Sequence, residues 1–150
     1  RMMGADVTIN VQRVKDPISE VKKLTEGRGA DYVIEAVGTA ETYEMAFAMV
    51  RPGGALAAFG ITGADDLMRL KPFELVLGER RIIGSCAGVG NDWNDAIALL
   101  QYGRVNPELL FSMIVPLEEL KDALEELQKN PDLTKVFVSP EVTKREILKN

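Results

Sequence analysis

Histidine is absent from the 150 residues, and cysteine occurs once, at Cys86. Those two gaps remove the His/Cys sets that hold most zinc ions, the Ser-His-Asp and Cys-His pairs of nucleophilic catalysis, and any intramolecular disulfide. Catalysis by this chain would have to rest on acids, lysines or hydroxyls. No apolar run approaches the roughly 20 residues that span a bilayer, and no basic-then-apolar leader opens the sequence, so no membrane partner is expected. Positive charge is also scarce: 18 Lys and Arg stand against 23 Asp and Glu, interspersed, for a net charge of -5. No basic stripe forms, which argues against nucleic acid as a partner. A single thiol makes a reducing cytoplasm the default expectation.

What is present allows a real core, since 46% apolar and 27% charged residues suit one globular domain of this length. Arg1-Met2-Met3 runs directly into Gly4-Ala5-Asp6, like the tail of a helix entering a turn, and predicts a fragment. Short β-branched runs alternate with amphipathic stretches, the pattern of βα units on a parallel sheet, so the fold class is α/β. Residues 7–11 predict a first strand. Asp16 then offers an N-cap with Pro17 at the first helical position, and Ile18, Val21 and Leu24 form one face up to Gly27. Residues 32–37 form a continuous apolar run suited to a strand covered on both faces.

From Thr39 a helix places Tyr43, Ala46, Phe47 and Val50 on one stripe, with Arg51-Pro52-Gly53-Gly54 as the turn that ends it. Residues 55–59 predict a third strand. Pro72 starts a short helix through Leu77, and Arg81 to Gly84 predict a fourth strand. Asp92 is expected to cap a helix with Trp93, Ala96, Ile97 and Leu100 inward, closed by Gly103. Phe111 to Val115 reads as a strand. A helix after Pro116 should turn Leu117, Leu120, Leu124 and Leu127 inward. Lys135 to Val138 predicts a last strand, with a poorly ordered tail from Pro140.

Ligands of open parallel sheets bind beyond the carboxyl ends of the strands. Three strands here finish in glycine at that end: Gly38, Gly60 and Gly84. Either turns alone require them, or three strand ends admit a flat ligand with no Cβ in the way. Glu35 has two readings, an acid serving a ligand or a structural acid bonded to neighbouring N–H groups. Cys86 reads as a small apolar group before a reactive thiol, and Tyr43 and Trp93 as core.

The run from Gly29-Ala30-Asp31-Tyr32-Val33-Ile34 to Glu35-Ala36-Val37-Gly38, then Arg51-Pro52-Gly53-Gly54 and Ala58-Phe59-Gly60-Ile61, resembles the second half of the cofactor domain in medium-chain dehydrogenases/reductases. The likeness is nearest to the zinc-type alcohol, polyol and threonine dehydrogenases. It extends over nearly the whole chain, from Gly4-Ala5-Asp6 to Val115-Pro116-Leu117-Glu118-Glu119 and Lys135-Val136. The resemblance implies a partial Rossmann fold lacking its first two strands. Residues 1–110 would be the second part of the NAD(P)-binding domain, and 111–150 a strand-helix-strand segment returning to the catalytic domain. It implies NAD or NADP as cofactor, with backbone at Ala36, Val37 and Gly38 near the adenosine side. Phe59, Gly60, Ile61, Ser85 and Cys86 would lie near the nicotinamide ribose and carboxamide.

The G-x-G-x-x-G turn and its ribose-reading acid are missing, and the family's zinc ligands and proton relay belong to an earlier domain. No catalytic residue and no metal ligand is therefore assigned here, and the chain alone is expected to turn over no substrate and hold no zinc. The parent would transfer hydride between an alcohol or polyol and the nicotinamide. A Rossmann-like methyltransferase fragment and a non-catalytic nucleotide-binding or interaction module remain as alternatives. The resemblance also implies a homo-oligomer that pairs through Leu67, Met68, Arg69 and Leu70. Strand order 3-2-1-4-5-6 would leave two vacant places between residues 7–11 and 32–37.

Overall fold

A computed structural model describes residues 3–148, which divide into two compact units, residues 7–88 and residues 3–6 with 89–148. In the first unit Asp16 accepts from the N–H groups of Ile18 and Ser19, capping α1 (Pro17–Leu24) as its Asp-Pro start demands. β1 (Ala30–Glu35) follows, then α2 (Ala40–Met49), whose N-cap Thr39 exchanges hydrogen bonds with Thr42 in a reciprocal cap. β2 (Val50–Ala58), the short α3 (Pro72–Leu77) and β3 (Arg81–Gly84) complete a parallel sheet in the order β1-β2-β3.

One face of this sheet carries the core. Val33 and Leu56 pack with Ala46, Phe47 and Val50, and Met68, Leu70 and Leu75 close over them. Leu56 is fully buried. The Arg80 guanidinium stands 5.3 Å from the centre of the Phe47 ring, a cation–π contact that covers the rim of the cluster.

Several expectations need correction. Residues 7–11 form no strand: the Asn10 side chain accepts from Gln12 N–H and its carbonyl from Arg13 N–H, so turn chemistry overrides the β-branched pattern. β1 is not covered on both faces: Tyr32 and Ile34 point into solvent at 78% and 72% exposure. Its one strand neighbour among the described residues is β2, in keeping with the vacant places expected beside it. Arg51-Pro52-Gly53-Gly54 lies inside β2 as a bulge. The register passes from Ala30↔Val50 to Tyr32↔Ala55, so Asp31 alone faces four residues, and it pairs with Arg51 at 2.5 Å. Within the chain residues 67–70 form no strand, and Met68 and Leu70 face the core of their own unit.

The second unit holds α4 (Asn91–Gln101), β4 (Phe111–Val115), α5 (Leu120–Lys129), β5 (Lys135–Val138) and β6 (Glu146–Ile147). Its sheet runs β5-β4-β6, parallel on one side and antiparallel on the other. Met113, Val115 and Ala123 are its centre, with Leu133 and Val136 against them. The N-cap of α4 is Gly90, and Asp92 instead accepts from Val89 N–H at 2.9 Å.

No residue of α4 is buried, and Trp93 is 67% exposed rather than core. In α5 the buried residue is Ala123, while Leu117 before the helix and Leu120 and Leu124 on it stay accessible. A small residue at this point lets the helix pack closely on Met113 and Val115. The tail after Pro140 is ordered enough to supply β6. Arg145 donates to Glu126 at 2.6 Å and to Glu119 at 3.0 Å, and these two bonds raise its pKa above the usual arginine value.

Candidate functional site

The carboxyl ends of the three strands of the first unit lie level with one another. Glu35 pairs with Ala58, and Ala58 with Gly84, so Ala36, Phe59 and Ser85 leave the sheet side by side. The ladder continues one step further, with Phe59 N–H donating to the Glu35 carbonyl and Ser85 N–H to the Ala58 carbonyl, each at 3.0 Å. All eight residues proposed from the sequence, Ala36, Val37, Gly38, Phe59, Gly60, Ile61, Ser85 and Cys86, therefore stand at one end of one sheet. Val37, Phe59 and Ile61 are exposed there at 72%, 53% and 83%. The Cys86 thiol is exposed as well.

Glu35 is the exception to that openness. It is 2% exposed, and its Oε1 accepts from Val37 N–H at 2.8 Å, Gly38 N–H at 3.0 Å and the Thr42 hydroxyl at 2.8 Å. Its backbone carbonyl accepts from both Phe59 and Gly60 N–H. The structural reading of this acid is the one realised. Tyr43 belongs to the same knot: its hydroxyl donates to the Gly60 carbonyl at 2.6 Å. Thr42 and Tyr43 were missed as site residues. The signal for Thr42 was its place three residues after the cap Thr39, where a hydroxyl can reach back; Tyr43 read only as part of an apolar stripe.

The three glycines separate into two kinds. A Cβ on Gly38, where φ is +86°, would run into the Ile61 carbonyl oxygen and lie 2.9 Å from its carbon. A Cβ on Gly60 would strike the Glu35 carboxylate and Gly38 N. Both are required by the closeness of the two loops to each other. A Cβ on Gly84 would meet no atom within 4 Å, so open space begins beside β3.

Burial raises the Glu35 pKa, but hydrogen bonds from Gly38 N–H, the Thr42 hydroxyl and Val37 N–H outweigh it and hold the carboxyl below the ordinary range. The folded state then binds fewer protons than the unfolded one in that window. The stabilisation is complete above the unfolded value of roughly 4.3, and is lost as pH falls through the lower folded value. Urea unfolding from pH 6 down to pH 3 is expected to show an acid loss that Glu35→Gln reduces; the same loss in both proteins would assign it to other carboxylates, such as the depressed but exposed Asp16 and Asp31.

Two cofactor fits can be judged from these residues. A zinc ion has no home here: histidine is absent, Cys86 stands alone, and among the described residues no three His, Cys, Asp or Glu side chains converge. A flat, extended ligand fits better, lying across three level strand ends with exposed loop backbone and open space at Gly84. The hollow beside Tyr43, about 140 Å³ and lined by Ala40, Thr62, Asp66 and Met68, is too small for a dinucleotide, which would occupy the outer surface instead. Among the described residues, no helix is long and apolar enough to cross a membrane.

A parallel sheet of βα units with its loops gathered at the carboxyl ends defines a Rossmann-like nucleotide-binding architecture. Residues 1–102 match the family of zinc-binding dehydrogenases, and the chain belongs to that family. An alcohol dehydrogenase of Cupriavidus necator is 33% identical over 142 residues, 93% of this chain and 38% of the relative. An NAD-dependent alcohol dehydrogenase of Sulfurisphaera tokodaii is 31% identical over 125 residues, 83% of this chain and 35% of the relative. The solved alcohol dehydrogenase TADH of Thermus sp. ATN1 superposes with a TM-score of 0.77 at 33% identity, covering 91% of this chain and 40% of that one. The chain thus spans a little over a third of the length of these relatives. These relatives do not favour the methyltransferase reading.

Proposed function

We propose that these residues form half of a nicotinamide-dinucleotide site in an enzyme that oxidises an alcohol or polyol. The observation that carries the reading is the level exit of Ala36, Phe59 and Ser85 from adjacent strands, which offers a dinucleotide one continuous backbone surface. Ala36, Val37 and Gly38 would face its adenosine side, and Phe59, Gly60, Ile61, Ser85 and Cys86 its nicotinamide side. The nicotinamide, when bound, accepts hydride from the alcohol carbon. The chain's own part is to bind and orient: the amides of Val37, Gly38, Phe59 and Gly60 are already committed within the loops, so their positions are set before any ligand arrives.

On the same reading, residues 1–110 continue the NAD(P)-binding domain and 111–150 return toward a catalytic domain that supplies zinc and the proton relay. The enzyme works in the cytoplasm as a homo-oligomer, with the backbone of residues 67–70 as the paired edge; Leu67, 85% exposed, supports that contact.

The test is calorimetric titration of NADH, NADPH and S-adenosylmethionine into the full-length protein that carries these residues and into residues 1–150 alone. The full-length protein is expected to bind one nicotinamide dinucleotide at micromolar affinity, about -8 kcal/mol, and to turn over alcohols. The isolated chain is expected to show no turnover. Binding of S-adenosylmethionine alone would move the reading to methyl transfer, and binding of none of the three to an interaction module.

A further inference from the structure

We propose that Glu35, assisted by Thr42 and Tyr43, is the positioning residue of the dinucleotide site, locking the 36–38 loop and the 59–61 loop at one fixed spacing. The inference rests on the cofactor reading above and deepens it. The side chain of Glu35 gathers Val37 N–H, Gly38 N–H and the Thr42 hydroxyl on one oxygen, while its backbone carbonyl gathers Phe59 and Gly60 N–H. One residue thereby grips both loops. Tyr43 adds a third hold through the Gly60 carbonyl, and glycine at 38 and 60 lets the loops touch.

The cost of this arrangement is informative. A buried carboxylate loses hydration, and it is kept charged only by the donors around it. The loops it serves are at the surface, where Val37 and Phe59 are more than half exposed and water could satisfy free amides at no such cost. Stability alone does not call for a buried oxygen accepting from three donors at this position. Fixed loop geometry does, because a ligand laid across two loops binds more weakly when it must also order them.

The experiment uses the full-length protein, with Kd for NADH or NADPH, whichever the wild type holds more tightly, read by fluorescence well below the unfolding temperature, beside cofactor KM and kcat. Glu35→Ala is expected to raise Kd and KM about tenfold with kcat within about twofold. Glu35→Gln keeps an oxygen where all three donors converge, so it should stay within about threefold of wild type. Tyr43→Phe should raise Kd about threefold.

A wild-type Kd in Glu35→Ala, or a fall in kcat at unchanged KM, overturns the inference. So does Glu35→Gln behaving as badly as Glu35→Ala, since that would assign the effect to charge rather than to held geometry. If Glu35→Ala does not fold, Thr42→Val and Tyr43→Phe decide, and wild-type Kd in both overturns it. A wild type that binds neither dinucleotide overturns the cofactor reading and this inference with it, whereas tight wild-type binding with unaffected variants overturns the inference alone.

Discussion

Leu56→Ala is expected to lower the unfolding free energy by about 3 to 4 kcal/mol, within the range seen when a buried leucine is truncated. Leu56 has no exposed surface and sits in the middle strand among Ala46, Phe47 and Val50. The loss combines the transfer energy of the missing methyl groups with a cavity that neighbours only partly fill. This core is small, and its other members are fixed on α2 and β2, so relaxation is limited. Leu124→Ala is the control: the same deletion at a residue 52% exposed should cost under about 1 kcal/mol. Urea unfolding of both variants checks the pair, and a Leu56→Ala loss no larger than that of Leu124→Ala would place the core elsewhere.

Gly38→Ala carries a comparable effect by another route. A φ of +86° already disfavours any side chain, and the added Cβ has no free direction because it meets the backbone of Ile61. Strain of about 1 to 2 kcal/mol from the dihedral and about 1 to 3 kcal/mol from overpacking add to roughly 3 kcal/mol. Relief would require the two loops to part, so dinucleotide affinity should fall along with stability. Gly84→Ala, with nothing within 4 Å, should leave the melting temperature within about 2 °C. Thermal unfolding of the two variants side by side gives the answer, and equal melting temperatures would remove the loop contact as the reason for glycine at 38.

These contrasts show how far local pattern reaches. Asp16-Pro17 gave away α1 because a cap acts within three residues, and the strands ending at Glu35, Ala58 and Gly84 were legible from short apolar runs with glycine at or near their ends. Residues 7–11 carried the same apolar signal, yet one Asn10 side chain bonded two positions ahead was enough to make a turn. On α5 the leucine stripe pointed to Leu120, Leu124 and Leu127 as the inward face, whereas the buried residue is Ala123 beside it.

At the site, the glycines were visible but not their division into two kinds, since that depends on which loop each one meets. Glu35 kept two readings until its donors were in view, for Val37, Gly38 and Thr42 reach the carboxylate only because the chain turns back over it after β1. β6 escaped notice altogether. Two residues paired to β4 and held by Arg145 leave no periodicity to find.

Strand order also sets a timetable for synthesis. In the first sheet each strand pairs with the one made just before it, so β1, β2 and β3 can zip in the order they emerge, through contacts of short sequence separation that form quickly. In the second sheet the central strand β4 is made first and both its neighbours come later, the last of them at residues 146–147. At translation speeds of about 5 to 20 residues per second, β4 waits seconds with both edges bare. During that interval β4 is open to mispairing on both sides, and the arrival of β5 and then β6 ends it.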